Sequence, residues 1–241
     1  MNTRSFANLL SLGVAALCFT NLASAEEEAG PWSGNAGLGY LATSGNSDNT
    51  SVNGLFQLSY DLASWHHTFD AQAIGNVSNE VTTAEAYQAG FKSKYDFTEH
   101  DYIFGLVDWN KDRFSGYVMQ TSEAVGYGRR LMNTDTQVLN VELGIGAKQA
   151  DLFDGTSQSG AIGRAATDYL WKFSETAAFT QLLAVESGSG NTYIESISAI
   201  TAKLMESLAL SVSYTVKNNS DVPIGREKTD TFTALSLTYD F

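Results

Sequence analysis

The sequence predicts an all-β protein: an antiparallel transmembrane β-barrel of about 12 strands, an even number. Three observations carry this expectation. Apolar and polar residues alternate with period two in segment after segment, no amphipathic helix follows residue 25, and the connections alternate between longer polar loops and short turns. A soluble sheet needs a second apolar layer over each apolar face, whereas lipid covers a barrel from outside.

Taken from the start, residues 1–25 carry one early positive charge (Arg4), an apolar stretch from Leu9 to Phe19, and Ala23-Ser24-Ala25 before EEEAG. This reads as a cleaved secretory signal peptide, because the apolar stretch is short for a membrane-spanning helix. Cys18, the only cysteine, lies inside it, and Leu17 stands where lipid attachment would want a small residue. Cleavage after Ala25 leaves one domain, 26–241, with no thiol, which excludes disulfides, cysteine metal sites and cysteine nucleophiles. The net charge of −13 and the lack of a basic stripe argue against nucleic acid as a partner. Glycine is abundant (21) and proline rare (2), as long hydrogen-bonded ladders require.

The strand candidates are 33–43, 50–62, 67–77, 85–97, 102–109, 117–130, 136–148, 160–172, 177–186, 192–204, 208–217 and 229–241. In 50–62, Val52, Phe56, Leu58, Tyr60 and Leu62 oppose Ser51, Asn53, Gln57, Ser59 and Asp61. In 85–97, Tyr87, Ala89, Phe91, Tyr95 and Phe97 oppose Gln88, Lys92, Lys94 and Asp96. In 136–148, Leu139, Val141, Leu143 and Ile145 oppose Asn140, Glu142 and Lys148, and 208–217 repeats the pattern. Strands 117–130 and 177–186 fit less well, because Glu123 and Gln181 fall on the apolar face; a β-bulge in each would repair the register.

The odd-numbered connections read as the long ones, among them SNEVTTA, NKDRFSG, QADLFDGTSQS and NNSDVPIGREK; ASWH, TEHD, LMNTD, SET and MES are short. Both termini then lie at the short-turn, periplasmic end. Aromatic residues fall near strand ends: Trp32, Trp65, Tyr60, Phe97, Tyr102, Trp171, Phe173 and Tyr239 at the turn end, and Tyr40, Tyr87, Trp109, Tyr117 and Tyr193 at the loop end. Two such girdles belong at the two membrane interfaces. In the last strand Leu235, Leu237, Tyr239 and Phe241 share one face. That pattern looks like the signal read by the bacterial barrel-insertion machinery, and closure would remove the free edge.

Several stretches resemble the salt-induced outer-membrane protein family, a YdiY-like group of unknown function: GLGYLATSGNSDNTSV, YIFGLVDWNKDRFSGY, GYGRRLMNTDTQVLNVELGIG and EKTDTFTALSLTYDF. Its most specific pieces are Gly45-Asn46-Ser47-Asp48, Asp112 to Tyr117, and Thr229-Asp230-Thr231, while 149–190 matches less clearly. The resemblance implies an outer-membrane barrel with a link to salt or osmotic stress; it supplies no catalytic residue, ligand or cofactor.

No enzyme is expected. His66, His67 and His100 all lie in or beside short turns and read as polar turn residues. The acidic pairs Asp151 with Asp154 and Asp108 with Asp112 read as solvated loop charge, lacking the ligand ladder of a calcium loop. The remaining clue is the lumen, where Asn53, Gln57, Asp70, Gln72, Gln88, Lys92, Lys94, Asp96, Glu142, Lys148, Arg164 and Asp168 point inward if the apolar face meets lipid. Two readings stay open: a narrow passive channel past these charges, constricted by loops three, four and six, or a plugged barrel whose loops bind lipopolysaccharide, cations or a protein. Closed charge pairs favour the plugged reading and an unpaired ring of like charge favours the pore.

Overall fold

The computed structural model describes residues 30–43, 49–78, 81–112, 117–152, 155–188, 190–222 and 227–241. It contains twelve strands: β1 Trp32–Thr43, β2 Asn49–Leu62, β3 Trp65–Ser78, β4 Val81–Asp96, β5 Asp101–Asp112, β6 Tyr117–Asn133, β7 Gln137–Leu152, β8 Ser157–Lys172, β9 Ala177–Gly188, β10 Thr192–Lys203, β11 Leu208–Asn219 and β12 Thr229–Asp240. Each pairs antiparallel with the next, and β12 pairs with β1 to close the barrel. Closure leaves no open sheet edge along the middle of the barrel, which is what strands crossing a lipid layer require.

Period two decides the faces. Leu38, Val125, Leu143 and Ile145 point outward and are 62–75% exposed, while their polar neighbours point in. So large an exposed apolar surface marks a wall built to be covered. Leu235, Leu237, Tyr239 and Phe241 stand on this outer face as expected from the alternation. Phe241 lies past the end of β12 yet exchanges two 2.9 Å backbone bonds with Gly34.

The structure corrects the expected loop asymmetry. Strands run on through residues whose polarity made them look like loops: the β3–β4 connection shrinks to residues 79–80, β8 starts at Ser157, and the β11–β12 connection, 220–228, alone stays long. Outward Thr121, Gln149 and Ser159 show why, since a strand rising above the apolar belt meets water on its outer face as well. Residues 44–48, 113–116, 153–154 and 223–226, which hold much of loops one, three, four and six, lie outside the described residues, as do residues 1–29 with the expected signal peptide.

The register of the two ill-fitting strands is also corrected. The bulges of β6 sit at its ends, between Tyr117 and Met119 and between Arg130 and Met132, so Glu123 stays on the outer face. β9 pairs without a shift on either side, leaving Gln181 outward, where its amide meets the hydroxyls of Ser196 at 3.0 Å and Ser198 at 2.5 Å. A polar side chain on the apolar wall is tolerated there because neighbours on β10 satisfy it.

Inside, rings lie flat on glycines. A Cβ at Gly128 would come 2.2 Å from the Tyr102 ring and one at Gly126 2.6 Å from the Phe104 ring, so β6 has no side chain where β5 leans over it. The closing ladder is the short one: β1 meets β12 only from Asn35↔Asp240 to Leu38↔Leu237, whereas β1 meets β2 from Trp32↔Tyr60 to Thr43↔Asn49.

Candidate functional site: the lumen

The lumen has a packed side and a wetter side. On the packed side Tyr102, Phe104 and Leu106 of β5 and Ala124 of β6 form a buried cluster pointing inward. Sequence periodicity places Tyr102 in a girdle, but the structure turns it into the barrel, where it is fully buried. Tyr193 lines a lumen cavity rather than the outer face, and Tyr117 is buried in the wall of a second one. β5 is apolar on both faces, so period two could not tell which of them faced inward.

The polar groups beside that cluster form a chain of alternating charge. The Glu142 side chain, on β7, is 0% exposed; Lys92 Nζ of β4 lies 2.6 Å from its Oε1. The Tyr102 hydroxyl donates to the same oxygen at 2.9 Å. Arg164 Nη1 of β8 lies 3.5 Å from Glu142 and its Nε lies 3.8 Å from Glu186 of β9, which Lys148 of β7 reaches at 3.2 Å. Nε and Nη1 of Arg164 are buried with no hydrogen-bond partner among the described residues, so the guanidinium is held by charge at longer range. Buried carboxylates placed between cations are how a low-dielectric interior keeps charge at all.

A second group lies toward the short-turn end. Asp96 accepts from Arg130 of β6 at 2.7 Å and faces His66 Nε2 at 3.1 Å, while His66 Nδ1 faces Asp61 at 2.7 Å. Lys94 and Arg130 stack over the Tyr102 ring, 5.4 and 5.3 Å from its centroid. Asp168 sits on β8 opposite Asn140, without an ion pair among the described residues. Nearer the loop end, Lys217 of β11 lies 3.5 Å from Glu195 of β10 and donates to Gln88 at 3.3 Å.

Of the expected lumen residues, Lys92, Glu142, Lys148 and Arg164 meet in one network, Lys94 and Asp96 belong to the turn-end group, and Asp168 stands apart. Lys92, Glu142, Arg164 and Lys148 thus form a closed chain of pairs rather than an unpaired ring of like charge. Sequence reading missed Glu186, Glu195 and Arg130, which complete these pairs; Glu186 falls in phase with Ala184 on β9, and that phase was the available signal. His66 and His67 are strand residues rather than turn residues, His67 pointing outward and stacked 5.7 Å from Trp65. Asp108 and Asp112 lie in β5, not in a loop, and Asp154 falls outside the described residues. Among the described residues no three His, Cys, Asp or Glu side chains converge as a metal site would need.

The opposite wall carries shorter side chains. Asn35, Ser59, Asp70, Gln72, Ser211, Ser213 and Ala234 point inward and remain partly exposed, and Gln57 is exposed. Toward the seam the wall tightens, with Asn53 donating to Ser236 at 2.6 Å. Two polar cavities of about 40 and 80 Å³ reach into the packed side, each with room for a few waters.

Residues 36–241 match the family described as Protein of unknown function, DUF481. The chain is 34% identical over 214 residues to the uncharacterized protein YdiY of Escherichia coli (strain K12), covering 87% of this chain and 83% of that protein. Among solved structures, NanC porin overlays at a TM-score of 0.48 with 10% identity, covering 87% of this chain and 97% of that one. The translocator domain of the autotransporter NalP from Neisseria meningitidis overlays at 0.47 with 12% identity, covering 87% and 88% of the two chains.

Proposed function

The chain belongs to the DUF481 family, and from that premise we propose that it is an outer-membrane barrel with a narrow passive path for water and small ions. The observation that carries this reading is the two-sided lumen: a wall of short, partly exposed polar residues on β1–β3 and β11–β12 faces a packed, ion-paired wall on β4–β9. The path is eccentric. It runs beside the network of Lys92, Glu142 and Arg164, not through it.

In this proposal the signal peptide is cleaved, the termini face the periplasm, and membrane lipid and lipopolysaccharide cover the apolar belt. The insertion machinery reads Leu235, Leu237, Tyr239 and Phe241. A role in salt or osmotic stress, implied by the family resemblance, is part of the same proposal, and no catalysis is assigned. The test is conductance of the refolded mature chain in a planar bilayer. Discrete steps of small amplitude support the path, and silence from a verified folded barrel refutes it. One observation favours a second reading, a non-conducting barrel that acts through its loops: the closed charge chain from Lys92 to Lys148 is what a plugged lumen needs.

A further inference from the structure

The lumen's cations are nearly all spoken for. Lys92, Arg164 and Lys148 share Glu142 and Glu186, Lys217 holds Glu195, and Arg130 holds Asp96. Two acids at the border between the packed and wet walls have no such partner. Asp70 of β3 and Asp108 of β5 are both paired in register with Gly90 of β4, and they lean toward each other over it. A Cβ at Gly90 would lie 2.7 Å from Asp70 Oδ1 and 2.8 Å from Asp108 Oδ1, so the missing side chain is what lets the two carboxylates converge. No ion pair joins either to a base among the described residues. The charges near them are Lys92 of the intervening β4 and, from the more distant β8, β9 and β10, Arg164, Glu186 and Glu195, and those four are already paired.

We infer that Asp70 and Asp108, converging over Gly90, set the ion preference of the lumen and make it favour small monovalent cations. The inference rests on the proposed path. Two like charges side by side repel, a cation passing between wall and carboxylates relieves that repulsion, and an anion adds to it. Lys92 cannot reverse the preference, because its ammonium is bound by Glu142. Lys94, stacked on Tyr102, sits toward the short-turn end.

The experiment is the reversal potential of single channels under a tenfold potassium chloride gradient, with folding of each variant checked by heat-modifiable gel migration. The wild type is expected to pass potassium over chloride. The Asp70→Asn, Asp108→Asn double variant is expected to lose that preference several-fold, and Glu123→Gln, a charge change on the outer face, to leave it within twofold. Should the double variant not fold, the single variants decide, each moving the ratio part of the way. A conducting wild type whose preference is anionic, or is unmoved by these variants, overturns the inference and leaves the path standing. A silent wild type overturns both.

Discussion

Glu142 offers the sharpest test of how the lumen is held together. Its side chain is 0% exposed and receives Lys92 and Tyr102 directly, with Arg164 at 3.5 Å. Replacing it with leucine removes the carboxylate and strands two cations beside Phe104 and Leu106. Breaking a buried pair in this way costs about 3–5 kcal/mol; Lys92 keeps 23% exposure and Arg164 retains Glu186, so the lower end, about 3 kcal/mol, applies. That is roughly a hundredfold in the folding equilibrium. The assay is urea unfolding in lipid vesicles followed by tryptophan fluorescence. Adding Lys92→Met to Glu142→Leu removes the stranded ammonium, so the double variant should recover at least half of the loss, whereas Glu142→Gln, still an acceptor for Tyr102, should fall between. A loss below about 1 kcal/mol for Glu142→Leu, or a double variant no better than the single, would refute the network as the fastening of this wall.

Three further variants probe other levels. Gly128→Ala drives a methyl into the Tyr102 ring and should cost about 1–3 kcal/mol in the same assay, while Gly75→Ala, which meets nothing within 4 Å, should be close to neutral. Glu123→Leu removes a carboxylate from an outer wall of Val107, Val125, Ile145 and Ala147, and should stabilise the barrel in bilayers by about 1–2 kcal/mol while doing little in detergent. Phe241 is 55% exposed, so Phe241→Ser should barely change the unfolding midpoint of refolded protein; a several-fold drop in folded protein recovered from cell membranes is expected if the last residue is read during insertion.

Periodicity made the strands legible because side-chain alternation follows from the extended backbone itself. It could not say where strands end. Above the apolar belt both faces of a strand are wet, so Gln149, Ser157 and Ser159 carry the same polarity as a loop. Nor could it say which face of β5 turned inward, where Ile103 and Val107 outside are as apolar as Tyr102 and Phe104 inside. Lys92, Glu142 and Arg164 were recognisable as lumen residues one strand at a time. Their pairing was not, since Lys92 meets Glu142 across the lumen from a strand that is no neighbour in the sheet.

The short closing ladder between Asn35↔Asp240 and Leu38↔Leu237 has a kinetic meaning. Eleven of the twelve ladders join strands adjacent in the chain and can form by local zippering, whereas this one brings together segments separated by nearly the whole sequence. Its loop-closure entropy is the largest in the molecule, and it has few hydrogen bonds to offset it. Amide protons of Gly34, Ala36 and Leu38, which point at β12, should therefore exchange with solvent ahead of those on β6 and β7, and a folding intermediate should be a curved, fully formed sheet waiting only for its two edges to meet.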